Sequence, residues 1–395
     1  MAALSSFLRK TPPEALREYF DQPHIGLPVE FDWDVADGRL SAPLMAAIEK
    51  MSRRQRDRVL NDAERVTALA NDVGQAALYS VAQNPAFLDD LANPHARSLW
   101  MFIRDQSRFI QAEEVRFTED RRRGKMWAGY MTDAGVALRR DEFSRQAFVN
   151  AIKAFSGASN VQVDIFDRVR MTLDGDDCDL VQVTIFREGR PDDLLRFNET
   201  GALVRQAYRP VFEAAVTYEP TSGGIEVIAN DTVTRGEIVK ATVTHFLGIQ
   251  FKDNRLPLRC YDLSGLLTPH DFPVDPEDGI ESVEVRELRL MPIDDTDFRV
   301  TLEKPARADK TIWTKADECF GDRTPLGDGY VVTRAKIAVK LARRPGGDAR
   351  RTLALTITWP HGCDLKDRTA SEQMIGEKYL RRWGVLVDDL QLFED

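Results

Sequence analysis

Histidine and cysteine are scarce in this chain, five and four among 395 residues. The histidines are His24, His95, His245, His270 and His361, and no two stand at i and i+4 on a helix, so a histidine-rich metal centre is not expected. The cysteines, Cys178, Cys260, Cys319 and Cys363, form no CxxC pair. A chain of this length buries a core without disulfide staples, so reduced thiols are expected. No apolar run approaches the roughly 18 residues of a membrane span. The opening MAALSSFLRKTPPE lacks the charged region and apolar stretch of a secretory signal. A cytoplasmic location with no membrane partner follows as the expectation. Lysine is also rare, 13 against 41 arginines, a skew that often accompanies GC-rich bacterial coding.

Several motifs are missing. The one Gly-Lys pair, Gly124-Lys125, has Glu119 where a phosphate-binding loop needs its first glycine. No GxGxxG follows a strand, and neither GxSxG nor HExxH occurs. No cofactor is expected on this basis.

What is present is ordinary globular composition, 43% hydrophobic and 30% charged, with a net charge of −10. Residues 1–150 hold 21 basic and 22 acidic residues, and the remainder holds 33 and 42. A nucleic-acid binder is usually basic overall, so such a partner would need a local patch, most naturally in the N-terminal half.

Residues 1–156 read as helical. Leu44, Met45, Ile48 and Met51 keep helical spacing, and Ser52 with Gln55 makes a capping box. Val66, Leu69, Ala70, Val73 and Ala77 mark the next apolar face, and Leu99, Phe102, Ile103, Phe109 and Ile110 a third. Phe143, Ala147, Phe148, Ala151, Ile152 and Phe155 form one stripe, ended by Gly157. From Val161 the apolar period becomes two. Four hairpins are expected: 161–165 with 181–185 around a turn at 174–177, 211–218 with 225–228, 283–290 with 298–302, and 331–341 with 352–359 around Pro345-Gly346-Gly347. The second leads to Thr234-x-x-Glu237 and the fourth to Thr369-x-x-Glu372, each a capping box before an apolar stripe and a terminal glycine. These two units, 211–248 and 331–384, have the look of a diverged β-β-α duplication.

The expected fold is therefore α+β, since helices and strands segregate rather than alternate. A helical domain spans 1–157. A mixed domain of antiparallel hairpins with interspersed capped helices spans 158–395, with a second break at 268–282.

Five constellations could carry chemistry. His361 and Cys363 are a potential zinc pair, but zinc needs two more ligands and the remaining candidates are distant; a turn set by Pro360 and Gly362, with Asp364 capping, reads as simply. Asp174, Asp176, Asp177 and Asp179 precede a strand where a metal-dependent nuclease would carry a carboxylate and a lysine, yet Gln182 and Thr184 stand there, which favours an Asp-rich turn. Asp275, Glu277, Asp278 and Glu281 surround Gly279 without EF-hand spacing, as a solvated linker would. Arg121, Arg122, Arg123 and Lys125 precede Trp127 and, with Arg53, Arg54, Arg56 and Arg58, could offer phosphate contacts and base stacking. Glu113, Glu114, Glu119 and Asp120 lie among them and would neutralise part of that field. Glu213 and Glu226 face one another across a hairpin, as an acid/base pair or as outward-facing surface charges.

Three functions follow from these readings. The first is a non-catalytic binding or scaffold subunit acting through protein–protein contacts, with a protein partner or a homo-oligomer. The second is a nucleic-acid binder using Arg53, Arg54, Arg121, Arg122, Arg123, Lys125 and Trp127. The third is a metal-dependent hydrolase assembled from distant residues, with His361 and Cys363 as weak ligands.

Overall fold

The computed structural model describes residues 2–23, 25–27, 31–33, 40–122, 126–171, 177–198, 200–256, 260–295, 297–342, 351–360, 362–368 and 370–387. The fold is α+β. The chain divides into two compact units, Met1–Arg255 and Leu256–Asp395. The change of period at 157–160 falls inside the first of them.

Among the described residues the first unit begins with eight helices: α1 (Ala2–Lys10), α2 (Pro13–Phe20), α3 (Ser41–Glu49), α4 (Arg53–Ala68), α5 (Asp72–Val81), α6 (Pro85–Asp89), α7 (Pro94–Arg104) and α8 (Gln106–Arg121). Their apolar stripes meet in one core that includes Phe7, Tyr19, Leu44, Ile48, Val66, Leu99 and Phe109. Ser52 caps α4 as its motif predicts, accepting from the Gln55 amide. Two expected continuous faces are broken by caps. Asn71 accepts from the Gly74 amide at 2.8 Å and starts α5 afresh, although Val66, Leu69 and Ala77 are all buried. Asp105 does the same for α8, and Ile110 of that helix is exposed.

The expectation of helix throughout 1–156 fails at β1 (Trp127–Met131). This segment of Trp, Tyr and Met has strand propensity, and it pairs with a strand almost a hundred residues on, a long-range partner that no local period reveals. Helix α9 (Glu142–Ser156) follows, capped by Asp141 and ended by Gly157 at φ 68°, where the left-handed turn requires glycine. Phe148 and Ile152 are buried on it, but Phe143 is 85% exposed, so its apolar stripe is narrower than its spacing suggests.

Then come β2 (Val161–Met171), β3 (Asp177–Glu188), β4 (Asp192–Phe197), β5 (Leu203–Tyr208), β6 (Val211–Glu219), β7 (Gly224–Ile228) and α10 (Thr232–Ala241), which continues as a π-type turn over Thr242–Leu247. The turn expected at 174–177 lies largely outside the described residues. Helix α10 is capped by Asp231, which accepts from the Thr234 amide and hydroxyl, so Thr234-x-x-Glu237 is not the cap. Asp231 stands one residue before the helix and outcompetes Thr234, which already lies within it.

Five strands form an antiparallel sheet in the order β1-β7-β6-β3-β2. One face is apolar. Val163, Val181, Val183, Ile185, Val216 and Val227 pack on Phe148 and Ile152 of α9 and on Ile238 of α10, and Phe148 stacks on Phe246 at 4.4 Å. The other face meets α8.

The second unit contains β8 (Cys260–Tyr261), β9 (Ile280–Pro292), β10 (Val300–Glu303), α11 (Ile312–Phe320), β11 (Tyr330–Leu341), β12 (Arg351–Thr358), β13 (Gly362–Cys363), α12 (Ala370–Arg382) and β14 (Leu386–Val387). Its five-stranded antiparallel sheet runs β10-β9-β11-β12-β13. Leu288, Leu290, Ile337, Leu353 and Leu355 pack with Trp313, Tyr379 and Trp383 in its core. The third and fourth expected hairpins are both here, in register Val300↔Leu290 and Ala338↔Ala354. The fourth hairpin's turn and Thr369 lie outside the described residues.

Candidate interaction site

The basic run at the end of α8 is largely engaged within the fold. Arg122 makes a bidentate pair with Glu226, at 2.7 and 2.9 Å. Arg121 lays its guanidinium 3.9 Å from the centre of the Phe117 ring and donates to the Phe117 carbonyl. Arg123 and Lys125 lie outside the described residues. Trp127 is half-buried in edge strand β1, opposite Ile228. On α4, Arg53 and Arg54 are exposed, and Arg53 sits 3.8 Å from Asp57 one turn on.

The partner of Arg122 belongs to a charged seam between α8 and the sheet. Arg170 donates to Glu119 at 2.7 Å and to Glu226 at 3.0 Å. The buried Arg168 donates to Glu119 at 2.8 Å and to the Thr217 hydroxyl at 3.2 Å. Gln182 donates to the Thr118 hydroxyl at 3.0 Å. Burial pushes the Glu119 carboxyl up, but Arg170, Arg168 and Arg122 outweigh it and hold the group at about 2. Glu226 is likewise held at about 2, against burial, chiefly by Arg122 and Arg170. Burial brings Arg168 down to about 10. Glu213 and Glu226 thus sit beneath α8 rather than outward on a half-exposed sheet. Glu213 lacks a strong cationic partner, and burial raises it to about 7. Burial does the same to Glu114, despite a hydrogen bond from Thr184.

This arrangement holds elements together. Glu119 and Glu226 spend their charge on arginines, whereas Glu114 and Glu213 are held partly protonated by burial. A cavity of about 440 Å³ opens at the edge of the seam beside Ser80–Ala82, with Arg108, Arg168, Asp167 and Asp179 among its lining. Charges of both signs line it.

The metal candidates are dispersed. Cys363, on β13 opposite Ile357, packs against the apolar core of the second unit, and His361 lies outside the described residues. Asp364 accepts from the Thr356 amide of β12 and from Arg368, so it ties the turn to the strand rather than capping a helix as the sequence predicts. Asp174 and Asp176 lie outside the described residues. Asp275 and Asp278 bind α12 rather than forming a solvated linker: both pair with Lys378, and Tyr379 donates to Asp278. Among the described residues, no group of three or more His, Cys, Asp or Glu is placed to hold a metal ion. Among them too, no helix is long and apolar enough to cross a membrane.

The feature that sequence reading missed is β4 and β5. They continue the central strands β3 and β6 past the end of the sheet as a two-stranded ribbon, in register from Asp192↔Tyr208 to Phe197↔Leu203. The tip is closed by Asn198, whose side chain accepts from the amides of Thr200 and Ala202. At the base the Phe212 ring lies where a Cβ on Gly189 would stand, and the Arg187 guanidinium lies 5.0 Å from the centre of that ring. Every β4 residue is exposed, as is every β5 residue but Val204. Of the seventeen large apolar side chains exposed among the described residues, Leu194, Leu195, Phe197, Leu203 and Tyr208 fall here, and Val211 and Phe212 follow at the start of β6. Phe197 is 68% and Leu203 60% exposed. The available signal was the apolar run Leu194-Leu195 with Phe197, followed by the Asn198–Gly201 turn.

Compared with models of protein families and with curated proteins, the chain matches none.

Proposed function

We propose that the protein is a non-catalytic binding or scaffold subunit of a cytoplasmic, bacterial multi-component system, acting through protein–protein contacts made by the β4–β5 ribbon. The supporting observation is the clustering of exposed apolar side chains on that ribbon. Single exposed hydrophobics are normal on protein surfaces, whereas five of the twelve residues of β4 and β5 are large, apolar and exposed, Leu195, Phe197 and Leu203 on one face and Leu194 and Tyr208 on the other, a density of the kind that partners cover. An isolated two-stranded ribbon is at best marginally stable in water, so a partner that covers it also stabilises it. The engagement of Arg122 and Arg121 within the fold argues against α8 as a nucleic-acid surface.

Native mass spectrometry of the gently purified chain, with absorbance at 260 and 280 nm, tests this. The wild type should carry the mass of a bound protein, either another chain or its own copy. A Phe197→Ser/Leu203→Ser variant should lose it while matching the wild-type Tm at dilutions where both are unbound. Retention of the bound mass by the variant overturns the proposal. Bound mass with raised 260 nm absorbance replaces it with nucleic-acid binding.

A further inference from the structure

We infer that the ribbon's occupant is a second copy of this chain, joined edge to edge through β4 about a two-fold axis at Leu194. This rests on the reading of the ribbon as a binding element and names its partner.

The outer edge of β3 is covered by β2 as far as Arg187↔Val161, and the Glu188 amide still donates to the Asn160 carbonyl. Beyond that point the same edge continues as β4, and among the described residues no strand lies beside it. The Asn198 amide donates to the Ala202 carbonyl. Because hydrogen-bonded pairs alternate along an antiparallel ladder, Asp192, Leu194 and Arg196 turn their backbone groups toward β5. Asp193, Leu195 and Phe197 then direct theirs outward, as an unpaired edge that templates another strand.

Symmetry restricts what can pair there. Two identical antiparallel strands in one sheet are related by an axis perpendicular to it, so paired residues must share a face and the axis must pass through a residue pair. With the axis at Leu194, Asp192 stands opposite Arg196 of the other copy, and this happens twice. Leu194 then meets Leu194, and the outward backbone groups of Asp193 and Leu195 bond to each other across the interface. With the axis at Leu195, no opposite charges meet. On the β5 edge, an axis at Arg205 puts like charges together, and one at Gln206 pairs none. The charge pattern of β4 is therefore self-complementary in one register, and opposite-charge cross-strand pairs favour it. The two copies lie at opposite ends of a four-stranded ribbon.

Sedimentation of the full chain over a concentration series is the first test, and a reversible dimer is the expected result. Arg196→Asp alone places Asp opposite Asp and should weaken the dimer by about tenfold or more. Asp192→Arg alone should do the same. The double variant Asp192→Arg/Arg196→Asp should restore it. Leu194→Cys should form an interchain disulfide on mild oxidation, measured against the wild type with its native cysteines. The non-hydrogen-bonded pair brings Cα atoms to about 4.5 Å, within disulfide range. Leu195→Cys, which faces Asp193, should not. All four positions are exposed, and a Tm unchanged from wild type at dilutions where both are monomeric confirms folding. A dimer indifferent to the single reversals, or equal cross-linking at 194 and 195, overturns the register. A monomeric wild type overturns the inference. If that monomer carries a different bound protein that Phe197→Ser/Leu203→Ser removes, the binding-subunit reading stands without it.

Discussion

The same pair of strands is treated in opposite ways at its two ends. In β3 and β6, inside the sheet, both faces are covered: Val183, Ile185, Ala214 and Val216 are buried, and so are the polar Gln182, Thr184 and Thr217. In β4 and β5, beyond the sheet, Leu195, Phe197 and Leu203 stand in solvent. This unit hides charge beneath α8 and displays hydrocarbon on its ribbon, the reverse of the usual distribution. Arg122, Arg168 and Arg170 pair with Glu119 and Glu226 within the unit, whereas the exposed apolar residues of the ribbon have no such counterpart. One end is complete and the other is open to a partner.

The sharpest way to break the complete end is to remove one member of the seam. Glu119→Gln takes the formal charge from Arg168 and leaves that buried guanidinium with the Thr217 hydroxyl and a neutral amide. Losing one partner of a buried pair costs about 3–5 kcal/mol, so urea unfolding should show a loss of about 3 kcal/mol or more. Asp120→Asn, one residue on, removes an exposed ion to Arg116 and should cost less than about 1 kcal/mol. Equal effects from the two variants would show that the seam contributes no more than a surface pair.

The two ends were unequally legible in the sequence. Period-two alternation over 161–165, 181–185 and 211–218 marked the core strands, because a covered apolar face imprints every second residue. Gly157 and Ser52 marked helix ends through local chemistry that acts over a few residues. The seam was not legible, because Glu119, Arg168, Arg170 and Glu226 are spread over more than a hundred positions and meet only through tertiary packing. In sequence, Arg122 is indistinguishable from an exposed phosphate-binding arginine until Glu226 is placed beside it. The ribbon was missed for a different reason. With both faces exposed it has no buried side, and Asp192-Asp193-Leu194-Leu195-Arg196 shows no clean alternation.

A pH series sharpens the comparison within the seam. Glu119 and Glu226 are held at about 2, so the stability they contribute is present above about 4.5 and is lost as pH falls through 2. Glu114 is raised to about 7 by burial, so its contribution has the opposite sign. The native state retains a proton there that the unfolded chain releases near 4.5, and that stability is lost as pH rises through 7. Stability should therefore peak near pH 4.5, decline on both sides, and level off above about 7. Glu114→Gln should remove much of the alkaline decline and raise stability at pH 8 by about 2 kcal/mol relative to wild type. The remaining slope belongs to Glu213, which is raised to about 7. An alkaline arm unchanged in Glu114→Gln would show that the carboxyl is already ionised in the native state.

The smallest effect is expected at the open end. Ile185 is fully buried between α9 and the sheet, so Ile185→Ala should cost about 2–4 kcal/mol through lost burial and the cavity left behind. Phe197 lies on the same hairpin, twelve residues further along, and is 68% exposed. Phe197→Ser removes a larger side chain, yet the chain's own fold loses almost no packing, and its stability should shift by less than about 0.5 kcal/mol. The measurement must be made where the chain is monomeric, because a partner bound to the native state adds its own binding free energy to the apparent stability. Under associating conditions the same substitution should lower Tm in a concentration-dependent way, since it weakens only the assembled state. A loss of about 2 kcal/mol in the monomer would mean that Phe197 packs within its own chain, and the ribbon would then be part of the core rather than a surface awaiting cover.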